Sequence, residues 1–389
     1  MQNNSDRIYY MDNLRALAML LGIFFHASIA YNPMMANLWL SADTQHSELL
    51  QQIAWFTHLF RMPVFFLIAG FFAMMLLEKR GIKGFLVHRF KRIGLPFIIF
   101  YPVLMISVIM LVGWAMSAIE PMTPMLSFFK MMSEMPNAEQ PPMSTMHLWF
   151  LFNLMLFCLV IGLMVRMNWH RASLFSWLLK PVSLILILPL IMVPALATQW
   201  APHPAAERFY PELWSFGFYG VFFFIGLLIF QKQSILEELK PYALPLLIVS
   251  IGQYFILYQY MPKTIVLEDL ALMMAGPELT IEHLLVAVLE AYIAVFMTIV
   301  CLVYGARFLN SRNKVLRYIA DGSYWVYIIH LPIIFLIQFH LIEVELGAWT
   351  EFWIVSILTL IIGFLSYALL IRWTPVGTLL NGKRVPFLK

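Results

Sequence analysis

Charged residues are scarce in this 389-residue chain: Asp, Glu, Lys and Arg make up 12% of it, and apolar types make up 62%. Soluble domains carry about 25% charged residues, so the composition excludes a soluble fold. Apolar runs of the length that a transmembrane helix needs recur along almost the whole chain. The sequence therefore predicts an all-α, polytopic integral membrane protein, and it does not suggest a nucleic-acid partner.

Cysteine is nearly absent as well. The two cysteines, Cys158 and Cys301, both lie inside apolar runs, so there is neither a disulfide framework nor a CxxC metal site. The methionine cluster at Met131, Met132 and Met135 has no histidine or cysteine beside it, which argues against a copper site. We expect no metal and no bound cofactor.

Hydropathy defines ten candidate membrane spans. They cover residues 10–32, 53–77, 93–118, 147–165, 182–199, 213–231, 241–259, 283–304, 323–341 and 351–371. Basic residues are concentrated in the connections that follow spans two, four, six and eight, which the positive-inside rule assigns to the cytoplasm. An even number of spans then predicts that both termini are cytoplasmic.

The remaining connections are predicted to lie on the outer side, where Lys130, Arg208 and Lys263 are the basic residues. The longest of these loops, residues 119–146, is rich in Pro and Met and predicts a short interfacial helix near residues 125–135. We expect a single transmembrane domain over residues 1–389 that ends in a short basic cytoplasmic tail at 374–389.

The first span, Met11–Tyr31, contains one arginine and one histidine, Arg15 and His26. Eleven residues apart on a helix, they share one face and are separated by roughly 16 Å along its axis. Ionisable groups in a span cost on the order of 3 kcal/mol unless they face a partner or a wet cavity. The pair therefore predicts a functional site that reaches across the bilayer, although Arg15 alone also fits a surface anchor paired with Asp12.

Other spans also place ionisable groups in the middle or outer half of the bilayer. They are His58 and Arg61 in span two, His147 at the start of span four, Glu290 in span eight and His330 in span nine. His147 also fits a residue at headgroup level, and His330 also fits a structural donor to a backbone carbonyl. Arg61 and His26 are deep and have no partner within their own helical turn, which favours a functional role for both.

At the cytoplasmic start of span three, the segment VHRFKRIGLP contains Arg89, Lys91 and Arg92. Arg89 and Arg92 are three residues apart and share a helix face, so together they can hold phosphates by charge-assisted hydrogen bonds. The alternative is that these cations only enforce the topology. On the outer side, Trp39 and other aromatic residues fit either stacking against sugar rings or an interfacial aromatic belt.

These segments, in this order, resemble the membrane acyltransferase 3 family. MDNLRALAMLLGIFFH is similar to its first-helix signature, FRMPVFFLIAGFF to its second helix, RFKR to its Arg-x-x-Arg segment, and HLWFL and YWVYIIHLP to later landmarks. The resemblance covers residues 8–375. It implies transfer of an acyl group from cytoplasmic acyl-CoA to a carbohydrate hydroxyl on the periplasmic side of a bacterial inner membrane.

Within that family, several segments are most similar to members that succinylate osmoregulated periplasmic glucans, so succinyl-CoA is the expected co-substrate. Arg15 and His26 correspond to the essential first-helix pair, and Arg89 and Arg92 to the Arg-x-x-Arg pair. We predict that His26 is the general base, because neutral imidazole can take a proton from a hydroxyl at neutral pH. Arg15, Arg89 and Arg92, with Lys91 beside them, are predicted to attract the CoA phosphates.

The outer groups are predicted to bind the acceptor or the acyl group. Arg61, with His58, is a candidate for the acceptor or for the free carboxylate of a succinyl group. His147 and His330 belong to the same set, and Glu290 is predicted to orient an imidazole.

Several alternatives stay open at this point. The acyl group is acetyl in one of them, with another cell-surface glycan as the acceptor. Transfer is either direct or passes through an acyl-histidine. A conduit or transporter without chemistry of its own is the main rival, and inverted repeats, which would support it, are not visible in the sequence. A structural partner of an export complex would leave His26 and Arg61 unexplained.

Overall fold

The chain folds into helices throughout the part that the computed structural model describes, which comprises residues 9–136, 143–269, 273, 275–311 and 313–382. Within these ranges no β-strand forms, and an isolated β-bridge joins Ser144 to Arg208. The prediction of an all-α fold is confirmed. The long apolar helices fit a multi-pass membrane protein.

The helices that position the site are numbered in chain order. They are α1 (Tyr9–Ser28), α2 (Glu48–Arg89), α3 (Leu95–Ala118), α4 (Pro124–Glu134), α5 (Trp149–Arg166), α6 (Leu188–Leu196), α7 (Leu213–Gln231), α8 (Ala243–Tyr260), α9 (Ile281–Phe308), α10 (Lys314–Phe339), α11 (Ala348–Ser366) and α12 (Pro375–Asn381). Helix α1 packs against α2, α9, α10 and α11. It therefore lies inside the bundle, where its polar face meets other helices instead of lipid.

Local sequence explains where several of these helices begin. Ser47, Thr123, Thr280 and Asn313 are the N-caps of α2, α4, α9 and α10, and each side-chain oxygen accepts a hydrogen bond from a backbone N–H two or three residues further on. These bonds satisfy N–H groups that have no partner within the helix. The short helix predicted near residues 125–135 is confirmed as α4, and its interfacial position stays a prediction.

The largest departure from the predicted spans lies between spans two and three. The segment KRGIKGFLVHRFKR was expected to be a connecting loop, but residues 48–118 form one helical stretch of 71 residues. A straight helix of that length would measure about 106 Å, more than three times the hydrocarbon core. The stretch is interrupted at Gly81, whose φ of 66° is accessible because glycine has no Cβ atom.

The fifth predicted span, residues 182–199, is shorter than expected. Its helical part is Ser183–Leu196, and these 14 residues extend only about 21 Å, less than the thickness of the hydrocarbon core. The other predicted spans fall on helical segments of sufficient length. The number of membrane crossings and the cytoplasmic position of the termini stay predictions, and tail residues 383–389 lie outside the described part of the chain.

Two glycines bring the backbones of α2 and α7 into direct contact. A Cβ atom at Gly70 would lie 1.8 Å from the Phe223 carbonyl oxygen, and one at Gly226 would lie 1.9 Å from the Leu67 carbonyl oxygen. Close approach at small residues is a common way for membrane helices to pack. Because α2 also carries Arg61, this contact helps to position the site.

We expect Gly226→Ala to destabilise the protein by about 3 kcal/mol or more, because the added methyl group forces α2 and α7 apart. Gly113→Ala is the matched control, since a Cβ atom there meets nothing within 4 Å, and its stability is expected to change by less than about 1 kcal/mol. Thermal unfolding of both variants in the same detergent measures the difference. Equal melting temperatures would show that the two backbones are further apart than described.

Candidate active site

Four of the residues predicted from different spans line one cavity. His26 comes from α1, Arg61 from α2, His147 from the turn before α5 and His330 from α10. The cavity has a volume of about 40 Å³, room for roughly three water molecules. Ionisable residues more than 300 positions apart in sequence therefore converge on one small cavity, whose other lining residues are mostly apolar.

The hydrogen bonds of two cavity histidines determine which ring nitrogen carries the proton. His147 Nε2 lies 2.9 Å from the Ile328 carbonyl oxygen, and His330 Nδ1 lies 2.6 Å from the Tyr327 carbonyl oxygen. A carbonyl oxygen only accepts hydrogen bonds, so both nitrogens donate. The opposite nitrogens, His147 Nδ1 and His330 Nε2, are buried without a partner among the described residues and are left as acceptors.

His26 differs from these two histidines. Its Nδ1 atom is buried and makes no hydrogen bond within the described part of the chain. Its ring centroid lies 5.2 Å from that of His330, and the Trp39 indole lies nearly parallel to it, with an interplanar angle of 16° and centroids 6.2 Å apart. His26 is therefore held by ring packing, which leaves its imidazole free to exchange protons.

Arg61 is a buried cation with no anionic partner in the described part of the chain. It is 6% exposed, one guanidinium nitrogen donates to the Leu21 carbonyl oxygen at 3.3 Å, and the guanidinium carbon lies 4.6 Å from the centre of the Phe25 ring. Among the described residues no carboxylate lies within 4.0 Å of it, and its Nε atom has no hydrogen-bond partner. Buried charges are normally paired, so the geometry fits a site for an anionic group of a ligand.

Glu290 and His58 belong to a neighbouring network that does not line the cavity. Glu290 Oε1 accepts hydrogen bonds from the His203 backbone N–H at 3.0 Å and from His203 Nδ1 at 3.3 Å. The His203 carbonyl oxygen in turn accepts from His58 Nε2 at 2.9 Å. The imidazole that Glu290 contacts is thus His203, which sequence reasoning missed because it lies in the loop segment APHPAAE, where no helical periodicity singles it out.

The predicted donor-binding cations have different surroundings. Arg92 donates to the carbonyl oxygens of Thr378 and Leu379, each at 2.6 Å, and so holds the end of α12. Arg89 lies over Phe85 at 5.6 Å with its Nε atom buried and unpartnered among the described residues.

The other two predicted donor-binding residues are Arg15 and Lys91. Arg15 is 37% exposed and pairs with Asp12 at 3.5 Å, as the anchor alternative expected. It is also close enough to Arg89 for the two cations to repel one another. Lys91 is exposed. Helix α1 runs without a break from Arg15 to His26, so the predicted separation of roughly 16 Å along its axis holds.

Most of the chain matches a known protein family. A family model described as an acyltransferase domain matches residues 8–368, a range that contains every cavity residue. No solved structure matches the chain.

Curated relatives with the name Glucans biosynthesis protein C also match. The one from Shigella dysenteriae serotype 1 is 38% identical over 100 residues, 26% of this chain and 25% of that protein, and the one from Escherichia coli K12 is 37% identical with the same coverage. The one from Salmonella paratyphi B is 26% identical over 342 residues, 84% of this chain and 82% of that protein. The chain thus spans about a quarter of the length of the first two relatives in these matches, and most of the third.

Proposed function

The chain belongs to the acyltransferase 3 family, and on that premise we propose that it transfers an acyl group from cytoplasmic acyl-CoA to a hydroxyl of a periplasmic glucan. The relatives named Glucans biosynthesis protein C support a glucan as the acceptor. Succinyl is the acyl group that we propose, because the buried cation of Arg61 fits the free carboxylate that succinyl carries and acetyl lacks. The bacterial inner membrane is the proposed location.

The observation that carries the proposal is that His26, whose imidazole has no hydrogen bond within the described residues, and the buried guanidinium of Arg61 line the same cavity. In the proposed reaction the sugar hydroxyl attacks the thioester carbonyl while His26 takes up the hydroxyl proton. The new C–O bond forms, the C–S bond breaks, and the thiolate of CoA leaves and receives the proton. The reaction is thus balanced in protons and needs neither a metal nor a bound cofactor.

The other cavity groups have roles that follow from their hydrogen bonds. His147 Nδ1 and His330 Nε2 accept but do not donate, so we assign them to orienting the acceptor hydroxyl or the protonated His26. Arg61 is assigned to the acyl carboxylate. His58 stacks on Phe25 with ring centroids 4.8 Å apart, and Glu290 is linked to His58 through His203. We therefore assign both residues to supporting the cavity from beside it.

The donor is proposed to enter from the opposite end of α1. Arg15 and Arg89 would attract the CoA phosphates, with Lys91 nearby and exposed. Arg92 joins them only if the end of α12 releases it, since α12 carbonyl oxygens already occupy its guanidinium. Both direct transfer and a covalent acyl-histidine remain compatible with this arrangement.

Purified protein supplied with succinyl-CoA and periplasmic glucan tests the function directly. We expect glucan whose mass has risen by one succinyl group, together with free CoA. Substrate movement across vesicles without CoA release would instead identify a conduit. Accumulation of acyl-protein when glucan is withheld would identify the acyl-histidine route.

A further inference from the structure

One aromatic residue beside His26, Trp39, has no role in the scheme above. Trp39 lies in residues 29–47, the segment that joins α1 to α2 and that we call the outer loop. Its indole is nearly parallel to the His26 ring, and it also packs on Phe335 with centroids 4.9 Å apart. Since His26 is close to the end of α1, the indole lies beside the imidazole near that end of the helix.

Gln338 of α10 holds Trp39 in this position. Its Oε1 atom accepts from Trp39 Nε1 at 2.9 Å and from the Ser41 hydroxyl at 2.7 Å, and its Nε2 atom donates to the Ala27 carbonyl oxygen at 3.0 Å. The amide is 1% exposed and so connects the outer loop to the residue next to His26. Breaking the hydrogen bonds of this buried amide costs free energy, so Gln338 holds the Trp39 indole in one position beside His26.

The rest of the outer loop is attached on both sides of Trp39. The Asn37 amide donates to the Ile265 carbonyl oxygen at 3.0 Å, and the Leu40 carbonyl oxygen accepts from the Thr123 hydroxyl at 2.8 Å. The cavity that His26 lines holds only about three waters, too few for a sugar ring. Groups around His26 must therefore move to admit the acceptor, and Trp39 is the neighbour on the loop side.

We infer that Trp39, held by Gln338, determines whether a sugar hydroxyl or water receives the acyl group. This inference rests on the proposed function and concerns the same site. In the competing reaction a water oxygen bonds to the acyl carbon, the C–S bond breaks, and the proton taken up by His26 passes to the leaving thiolate. Succinate and free CoA result. A cover over the base keeps bulk water from entering the cavity until the acceptor displaces it, a role that mobile loops have in many enzymes.

The test measures CoA release from succinyl-CoA by full-length protein in the absence of glucan. We expect Trp39→Ala to raise this hydrolysis about tenfold, and Gln338→Leu, which keeps the indole but removes its acceptor, to raise it several-fold. Trp39→Phe, which keeps an aromatic ring without the N–H group, is expected to fall between the wild type and Trp39→Ala.

Trp349→Ala is the matched control, because Trp349 lies at the start of α11 and packs on Phe352 without touching His26. Its hydrolysis rate should equal that of the wild type. Wild-type rates in both Trp39→Ala and Gln338→Leu, while the wild type acylates glucan, would overturn the inference and leave the proposed function intact. If Trp39→Ala fails to fold, the hydrolysis rates of Gln338→Leu and Trp39→Phe test the inference, and wild-type rates in both would overturn it. A wild type that neither releases CoA nor acylates glucan would overturn the proposed function itself.

Discussion

Replacing His26 with alanine is expected to lower glucan acylation by about 10²- to 10⁴-fold, the range that a well-placed general base contributes. The reason is that alanine has no group to take up the hydroxyl proton, and the two other cavity histidines each have one nitrogen engaged with a backbone carbonyl. The measurement is the initial rate of succinyl transfer by purified protein, with size-exclusion elution and circular dichroism as checks of folding.

His340→Ala is the control for this prediction. His340 lies at the end of α10, stacks on Trp114 and is exposed, so its loss should leave the rate unchanged. A His26→Ala protein that keeps more than about a tenth of the activity would contradict the assigned role. If His330→Ala lost activity while His26→Ala kept it, His330 would be the base. Its Nδ1–H donates to a backbone carbonyl oxygen, and its Nε2 has no partner among the described residues.

A change at Arg61 is expected to alter the choice of acyl donor. We expect Arg61→Gln to lower kcat/KM for succinyl-CoA by about 100-fold, since a buried charge-assisted pair with a carboxylate is worth about 3 kcal/mol. The value for acetyl-CoA, which has no carboxylate to bind, should change by less than about threefold. Arg61→Lys keeps the charge but not the bidentate geometry and should give an intermediate loss.

Parallel losses with both donors would contradict the carboxylate assignment and indicate instead that Arg61 binds the glucan or the developing oxyanion. A second measurement separates function from folding. Because Arg61 is buried without an anionic partner among the described residues, Arg61→Met is expected to raise thermal stability by about 1–4 kcal/mol while activity towards succinyl-CoA falls. A variant that is both inactive and unstable would point to a structural role.

Much of the site was predictable because an ionisable residue stands out in an apolar run. His26, Arg61, His147 and His330 were each singled out in this way, and the structure places all four around one cavity. The energetic reason is general, since a charge or imidazole inside a span needs a partner or a wet space. The position of an ionisable residue in an apolar run does not, however, predict which residue will be its partner.

Other features of the structure could not be predicted, because they do not involve an ionisable residue that stands out in an apolar run. His203 stands in a proline-containing loop, and Gln338 is one amide near the end of a helix. Arg92 was predicted to bind phosphate, and its bonds to the carbonyl oxygens of α12 depend on where a distant helix ends. Gly81 breaks a helix that hydropathy suggests is two spans with a loop between them.

The sequence by itself determined most of the helices and the face of α1 that carries Arg15 and His26, because apolar runs, helical periodicity and N-caps act over a few residues. The tertiary structure alone decided the partners: Glu290 with His203 across 87 positions, and Trp39 with Gln338 across 299. Such contacts depend on how whole helices pack around α1. Helix packing is set by the shapes of many side chains together, which no local pattern of residues contains.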